Sequence, residues 1–161
     1  MSTGQTLLVT IGLVLFTIFV LTVYRTTTSR FAFAIANEAL ITGSALAQSL
    51  IEEITQKSFD EKTVNQVINT VDSLTLPSQL GPDVGETNVT LFDDVDDYKN
   101  YIKTDSLQRL GQFISRVIVY YVQSTNTEIL SSNRTFFKKI DILVTNSFIK
   151  DTIKMFRVIA Y

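Results

Sequence analysis

The sequence predicts an α+β molecule: a long N-terminal hydrophobic helix, and a small head of antiparallel sheet, about three strands, packed on the helix's C-terminal half. Three observations predict it. Leu7 to Tyr24 (LLVTIGLVLFTIFVLTVY) carries no charged side chain. Residues 31–57 (FAFAIANEALITGSALAQSLIEEITQK) repeat apolar side chains at helical spacing. Later segments rich in β-branched and aromatic residues are separated by turn-like stretches. The organisation expected is a hydrophobic helix over 1–30, its amphipathic continuation over 31–57, and a globular head over 58–161.

The uncharged run is about 18 residues long, near the lower limit for crossing a hydrocarbon core of roughly 30 Å. Thr10, Thr17 and Thr22 are tolerable there because a helical threonine bonds back to a carbonyl one turn earlier. A buried core helix without a polar face needs a larger domain around it than 161 residues leave. A cleaved secretory signal is the other reading, with small-x-small patterns at Ala32-Phe33-Ala34 and Ala34-Ile35-Ala36. Against it, no Lys or Arg precedes the run, Arg25 and Arg30 follow it, and the helical pattern continues past the cut. The expectation is a membrane-inserted helix. Those two arginines alone leave its orientation open.

Phe31, Ile35, Ala39, Leu46, Leu50 and Ile54 share one helical face. Ala32, Ala34, Ala36, Gly43, Ser44, Ala45 and Ala47 are small enough to let neighbouring helices approach. Between the two halves, Thr26, Thr27, Thr28 and Ser29 have poor helix propensity, a summed cost of about 2 kcal/mol relative to alanine. Local irregularity is expected there once the chain is assembled.

In the head, Ser73 to Glu86 holds both prolines, Pro77 and Pro82, and reads as an irregular loop. The expected strands are 112–123, 135–145 and 152–161. Lys138, Ile140, Ile142 and Val144 alternate with Lys139, Asp141 and Leu143. Asp93, Asp94, Asp96 and Asp97 form the acidic cluster. They are candidate calcium ligands because hard cations take carboxylate oxygens, although the EF-hand glycine and distal glutamate are missing. The plainer reading is a solvated acidic loop or carboxylates at a helix N-terminus. Asn88 and Asn133 head N-x-[ST] triplets and are candidate glycosylation acceptors.

With no cysteine and no histidine, the chain excludes disulfides, thiolate chemistry, Cys/His zinc sites and imidazole catalysis. No phosphate-cradling loop or nucleophile elbow occurs, so no enzymatic role and no cofactor beyond the possible calcium are expected. Its net charge of -2 and the lack of a basic patch predict no nucleic-acid partner.

Gly4-Gln5-Thr6-Leu7-Leu8 followed by a hydrophobic helix resembles the start of type IV pilins and pseudopilins. The stretch from Ala45 (ALAQSLIEE) through Lys57 to Glu61 (KSFDE) resembles their helix as it enters the head. Phe92 to Tyr98 (FDDVDDY) is similar to an acidic segment of several pilin-like heads. The resemblance implies a subunit held in the cytoplasmic membrane by its helix, then polymerised with identical subunits into an extracellular filament by membrane assembly machinery. Leu7, Leu8, Ile11, Leu15, Phe16, Ile18 and Phe19 would form the assembly core. The chain departs from the pattern in three ways. Val9 stands where the family has glutamate at the fifth mature position, the usual proline of the helix is missing, and the four residues before Gln5 lack basic side chains. An uncleaved N-terminus is therefore expected. The alternative is a single-pass accessory or minor pilin-like component that does not itself form the filament.

Overall fold

The computed structural model describes residues 2–161. Helix α1 covers Thr3–Thr55 and the short helix α2 covers Glu61–Val64. Four antiparallel strands follow: β1 (Ile102–Leu107), β2 (Gly111–Tyr121), β3 (Phe137–Asn146) and β4 (Ile153–Ala160), hydrogen-bonded in sequence order. The chain divides into two compact units, Met1–Glu38 and Ala39–Tyr161, with the division inside α1.

In the first unit, α1 is regular through Thr26 to Ser29. The irregularity expected there concerns the assembled state; in the chain by itself the helix is continuous. The hydroxyls of Thr26, Thr27 and Thr28 donate to the carbonyls of Thr22, Val23 and Tyr24 at 2.8, 2.9 and 2.9 Å. Poor propensity here is spread thinly over residues whose polar groups the helix itself satisfies.

The second unit is the α+β head. It has one strand more than expected, since β1 pairs with β2 from Ile102↔Arg116 to Leu107↔Gly111. Gly111, at φ 69°, supplies the left-handed residue that turns β1 into β2. Phe113, Ser115, Val117, Val119 and Tyr121 of β2 are buried at period two, as are Lys138, Ile140, Ile142, Val144 and Asn146 of β3. Asn146 donates through Nδ2 to the carbonyls of Leu110 and Gln112 at 2.8 and 2.9 Å, closing the far end of the hairpin.

The sheet's inward face is covered by Ala39, Gly43, Ala47, Leu50, Ile51 and Ile54 of α1. The expected face included Phe31 and Leu46, but Phe31 is exposed and Leu46 only half-buried. The small residues decide the difference. A Cβ on Gly43 would stand 2.7 Å from Ile153 Cδ1 and 3.3 Å from Phe113 Cε1. At Gly43 it is the sheet that the small residue lets in. At the end of the helix, Tyr98 donates its hydroxyl to Glu53 Oε1 at 2.9 Å. Its ring meets Phe92 and Tyr101 edge-on at 5.1 and 5.7 Å between centroids.

Substituting Gly43→Leu should overpack this contact and lower the head's stability by about 1–3 kcal/mol. Denaturant unfolding followed by tyrosine fluorescence measures it. An unchanged midpoint would mean that helix and sheet are not held this close.

Candidate functional site

Two regions stand out, one in each unit. In the first, all seven residues expected in an assembly core are exposed, from 48% for Ile11 to 71% for Leu8. The 18-residue window of α1 that contains this run has a mean hydropathy of 2.6, and none of it is buried inside the chain. The helix is long and apolar enough to cross a membrane. Its hydroxyls are turned inward. Thr10, Thr17 and Thr22 donate to the carbonyls of Leu7, Leu13 and Ile18 at 2.9, 2.8 and 2.8 Å, so the surface offers hydrocarbon and few free donors.

The second region is built from two acidic segments that the backbone ties together. Ser58 N donates to Asp93 O at 3.1 Å, and Val95 N donates to Ser58 O at 3.0 Å. This brings Asp60, just after the bridge, beside Asp96. Asp60 caps α2, accepting from Lys62 N through Oδ1 at 3.1 Å while its own N–H donates to Thr63 Oγ1 at 3.0 Å. It also accepts from Thr75 N and from Thr75 Oγ1, the latter at 2.9 Å.

Into this corner β3 inserts Lys138, whose side chain is fully buried. All three ammonium protons have acceptors: Phe59 O at 2.7 Å, Asp60 Oδ2 at 3.0 Å and Asp96 Oδ1 at 2.5 Å. The rings of Phe59 and Tyr121 stand 4.7 and 5.2 Å from the Nζ atom. Tyr121, directly across the ladder from Lys138, places its hydroxyl 3.0 Å from Asp60 Oδ2.

The expected solvated acidic loop is therefore largely an interior feature. Asp94, Asp96 and Asp97 are buried, and Asp93 alone of the four is exposed. Asp94 Oδ1 accepts from the N–H groups of Asp96 and Asp97, and Asp97 Oδ2 accepts from those of Asp93 and Asp94. Burial, reinforced by the charges of Asp96 and Asp97, pushes the Asp94 carboxyl up to about 9. Its Oδ2 is buried without a donor. Protonated, that oxygen becomes a donor. Burial also raises Asp96, outweighing Lys138. Asp97 is pushed up to about 7, first by burial and then by its contact with Glu86, against the pull of the N–H groups it accepts. Asp60 goes the other way. Burial raises it, but the charge and hydrogen bond of Lys138, with Lys62 N and Thr75, leave it below its ordinary value.

The four aspartates do not converge as one ligand set. The carboxylates that lie within 4.8 Å of one another are those of Glu86, Asp93 and Asp97. They offer hard oxygen donors of the kind calcium takes. A proton on Asp97, donated to Glu86, satisfies the same geometry without an ion. Asn88 and Asn133 are both exposed, and Asn88 Oδ1 accepts from Thr90 N at 3.3 Å, capping a 3₁₀ turn at Val89–Leu91.

Residue-by-residue reading of the sequence did not single out Lys138 or Asp60. The signal was present in parity. Lys138 shares a strand face with Ile140, Ile142 and Val144, and a lysine on an apolar face needs a buried counter-charge.

Lys138→Ala should cost about 3–5 kcal/mol, because Asp60 and Asp96 are left buried without a cation. A loss under about 1 kcal/mol in chemical denaturation would contradict the cluster. A pH dependence follows as well. Asp94 and Asp97 bind their protons more tightly when folded, so their contribution is complete below the ordinary value of 3.8 and is lost as pH rises through about 7 for Asp97 and about 9 for Asp94. Asp60 contributes above 3.8 and loses its contribution in acid. The head's melting temperature should fall from about pH 5 to about pH 9.5, and Asp94→Asn should flatten the upper part of that fall. A melting temperature that rises over this range would refute the assignment.

The long apolar N-terminal helix with an antiparallel sheet head is a pilin-like architecture. No protein-family model matches the chain, and no curated protein or solved structure matches it either.

Proposed function

We propose that this chain is a structural subunit of an extracellular, pilus-like helical filament, held in the cytoplasmic membrane before assembly and polymerising through its N-terminal helix. One observation carries the reading: the apolar run of α1 has no cover within its own chain. Lipid covers it before assembly, and the equivalent helices of identical subunits cover it afterwards. Either cover keeps seven side chains that stand about half exposed or more out of water, worth on the order of 10 kcal/mol per subunit, while the exchange of lipid for neighbouring helices is driven by side-chain packing. Contacts repeated head to tail without closing extend such a packing into an open helix. The head forms the exterior.

A second reading is favoured by Val9. The pilin family places a glutamate there that is thought to pair with a neighbour's N-terminal amine, and valine cannot set that register. On this reading the chain is a single-pass accessory component that does not build the fibre. Abundance separates the two, since a main subunit dominates material sheared from cells and an accessory does not.

Ile11→Asp or Leu15→Glu places a charge in the proposed core, at about 2.5–3.5 kcal/mol per subunit for a charge near a helix centre in an apolar medium. Either variant should abolish fibres seen by electron microscopy, while the melting temperature of the head in detergent stays at the wild-type value. Fibres of normal yield from both variants would refute the core assignment.

A further inference from the structure

Lys138, Asp96 and their surroundings have the parts of a reaction as well as those of an ion pair. We propose that Lys138 and Asp96 join in an intramolecular isopeptide bond, an amide between Lys138 Nζ and Asp96 Cγ that forms within the folded head and releases one water molecule. Nothing in the proposal depends on how or whether the chain polymerises.

The geometry carries it. Lys138 Nζ lies 2.5 Å from Asp96 Oδ1, and both side chains are almost completely buried. A lysine amine becomes a nucleophile once it has given up a proton, and a carboxylate acceptor stands beside this one. Here the Phe59 and Tyr121 rings exclude water from its flank. Holding the nitrogen against the carboxyl group replaces a bimolecular encounter, an advantage worth up to about 10⁵–10⁸ M in effective concentration.

The neighbouring carboxyls have separable roles. Asp60 Oδ2, 3.0 Å from the same Nζ, is the proton acceptor. The contacts from Tyr121, Thr75 and Lys62 N keep it ionised until it takes that proton. Asp94 is the acid. Its Oδ2 is buried without a donor, and its Oδ1 accepts from Asp96 N at 2.7 Å, which sets the two residues side by side. A proton placed there polarises the Asp96 carboxyl towards attack.

The step balances without an oxidant or co-reactant. The ammonium gives one proton to Asp60, and the free amine attacks Asp96 Cγ to form a C–N bond. The C–O bond to one carboxyl oxygen breaks as that oxygen leaves. The two protons shed by nitrogen depart with it as water, relayed through Asp60 and Asp94. A buried ion pair becomes a neutral amide, removing two charges from an interior where desolvating them is costly. The bond ties β3 to the 3₁₀ turn at Asp96–Tyr98, across 42 positions of sequence. An assembly subunit exposed to proteases or mechanical load is a setting in which such a tie is useful.

Mass spectrometry of the denatured, protease-digested full-length chain decides it. The expected result is one cross-linked species in which the peptides carrying Lys138 and Asp96 are joined and are together lighter by one water. Lys138→Arg keeps a cation in the corner but cannot form this amide, and should yield the two peptides separately at full mass. Wild-type peptides that are separate and carry full mass overturn the proposal, whether or not the arginine variant folds. A link from Lys138 to Asp60 overturns the assignment of Asp96 as acceptor.

Discussion

Water's exclusion of apolar surface is the constraint that organises this molecule, and the chain meets it in only one of its two units. Over Ala39 to Ile54 the helix lays small and branched residues against β2 and β4, and the contact at Gly43 is close enough that a single carbon would collide. Over Leu7 to Tyr24 the same helix carries side chains equally suited to burial, and the chain supplies nothing to bury them. A segment of that kind is stable only in lipid or among other proteins. The proposed function is a consequence of this imbalance and does not depend on any catalytic feature.

The head faces a second constraint, that of charge in an interior. Lys138 sits on the apolar face of β3, and its burial requires counter-charge from outside the sheet. The two irregular segments around Asp60 and Asp96 provide it, joined by the Ser58–Asp94 bridge. Long stretches without helix or strand between α1 and β1 thus have a reason for their conformation. They wrap a lysine. Arg134 plays a related part at the edge, donating to the carbonyls of Asp72 and Leu74, while Tyr161 accepts from Ile68 N at 2.8 Å and fastens the C-terminus to the same loops.

Much of the fold was legible because its signals are local. A charge-free run and a period-two alternation each occupy a few consecutive turns or residues, and both elements lie where the pattern put them. β1 was missed because IKTDSL has only Ile102 and Leu107 as apolar residues, and as an edge strand it is defined by pairing with β2. The acidic stretch was misread for a related reason. Its neighbours in sequence are polar, and its burial comes from a lysine 42 positions away, a distance no window spans. In the threonine run a propensity scale ranks each residue poorly, while the hydroxyls of Thr26 to Thr28 find carbonyls one turn back.

Residues 7–24 are proposed to end among copies of themselves. Electron microscopy with helical reconstruction of material sheared from cells tests it most directly. The expected result is fibres made of this chain, with Leu7 to Tyr24 packed along the axis and the sheets outside. Sheared material free of this chain, with the full-length protein recovered only as a monomer in detergent, would contradict it.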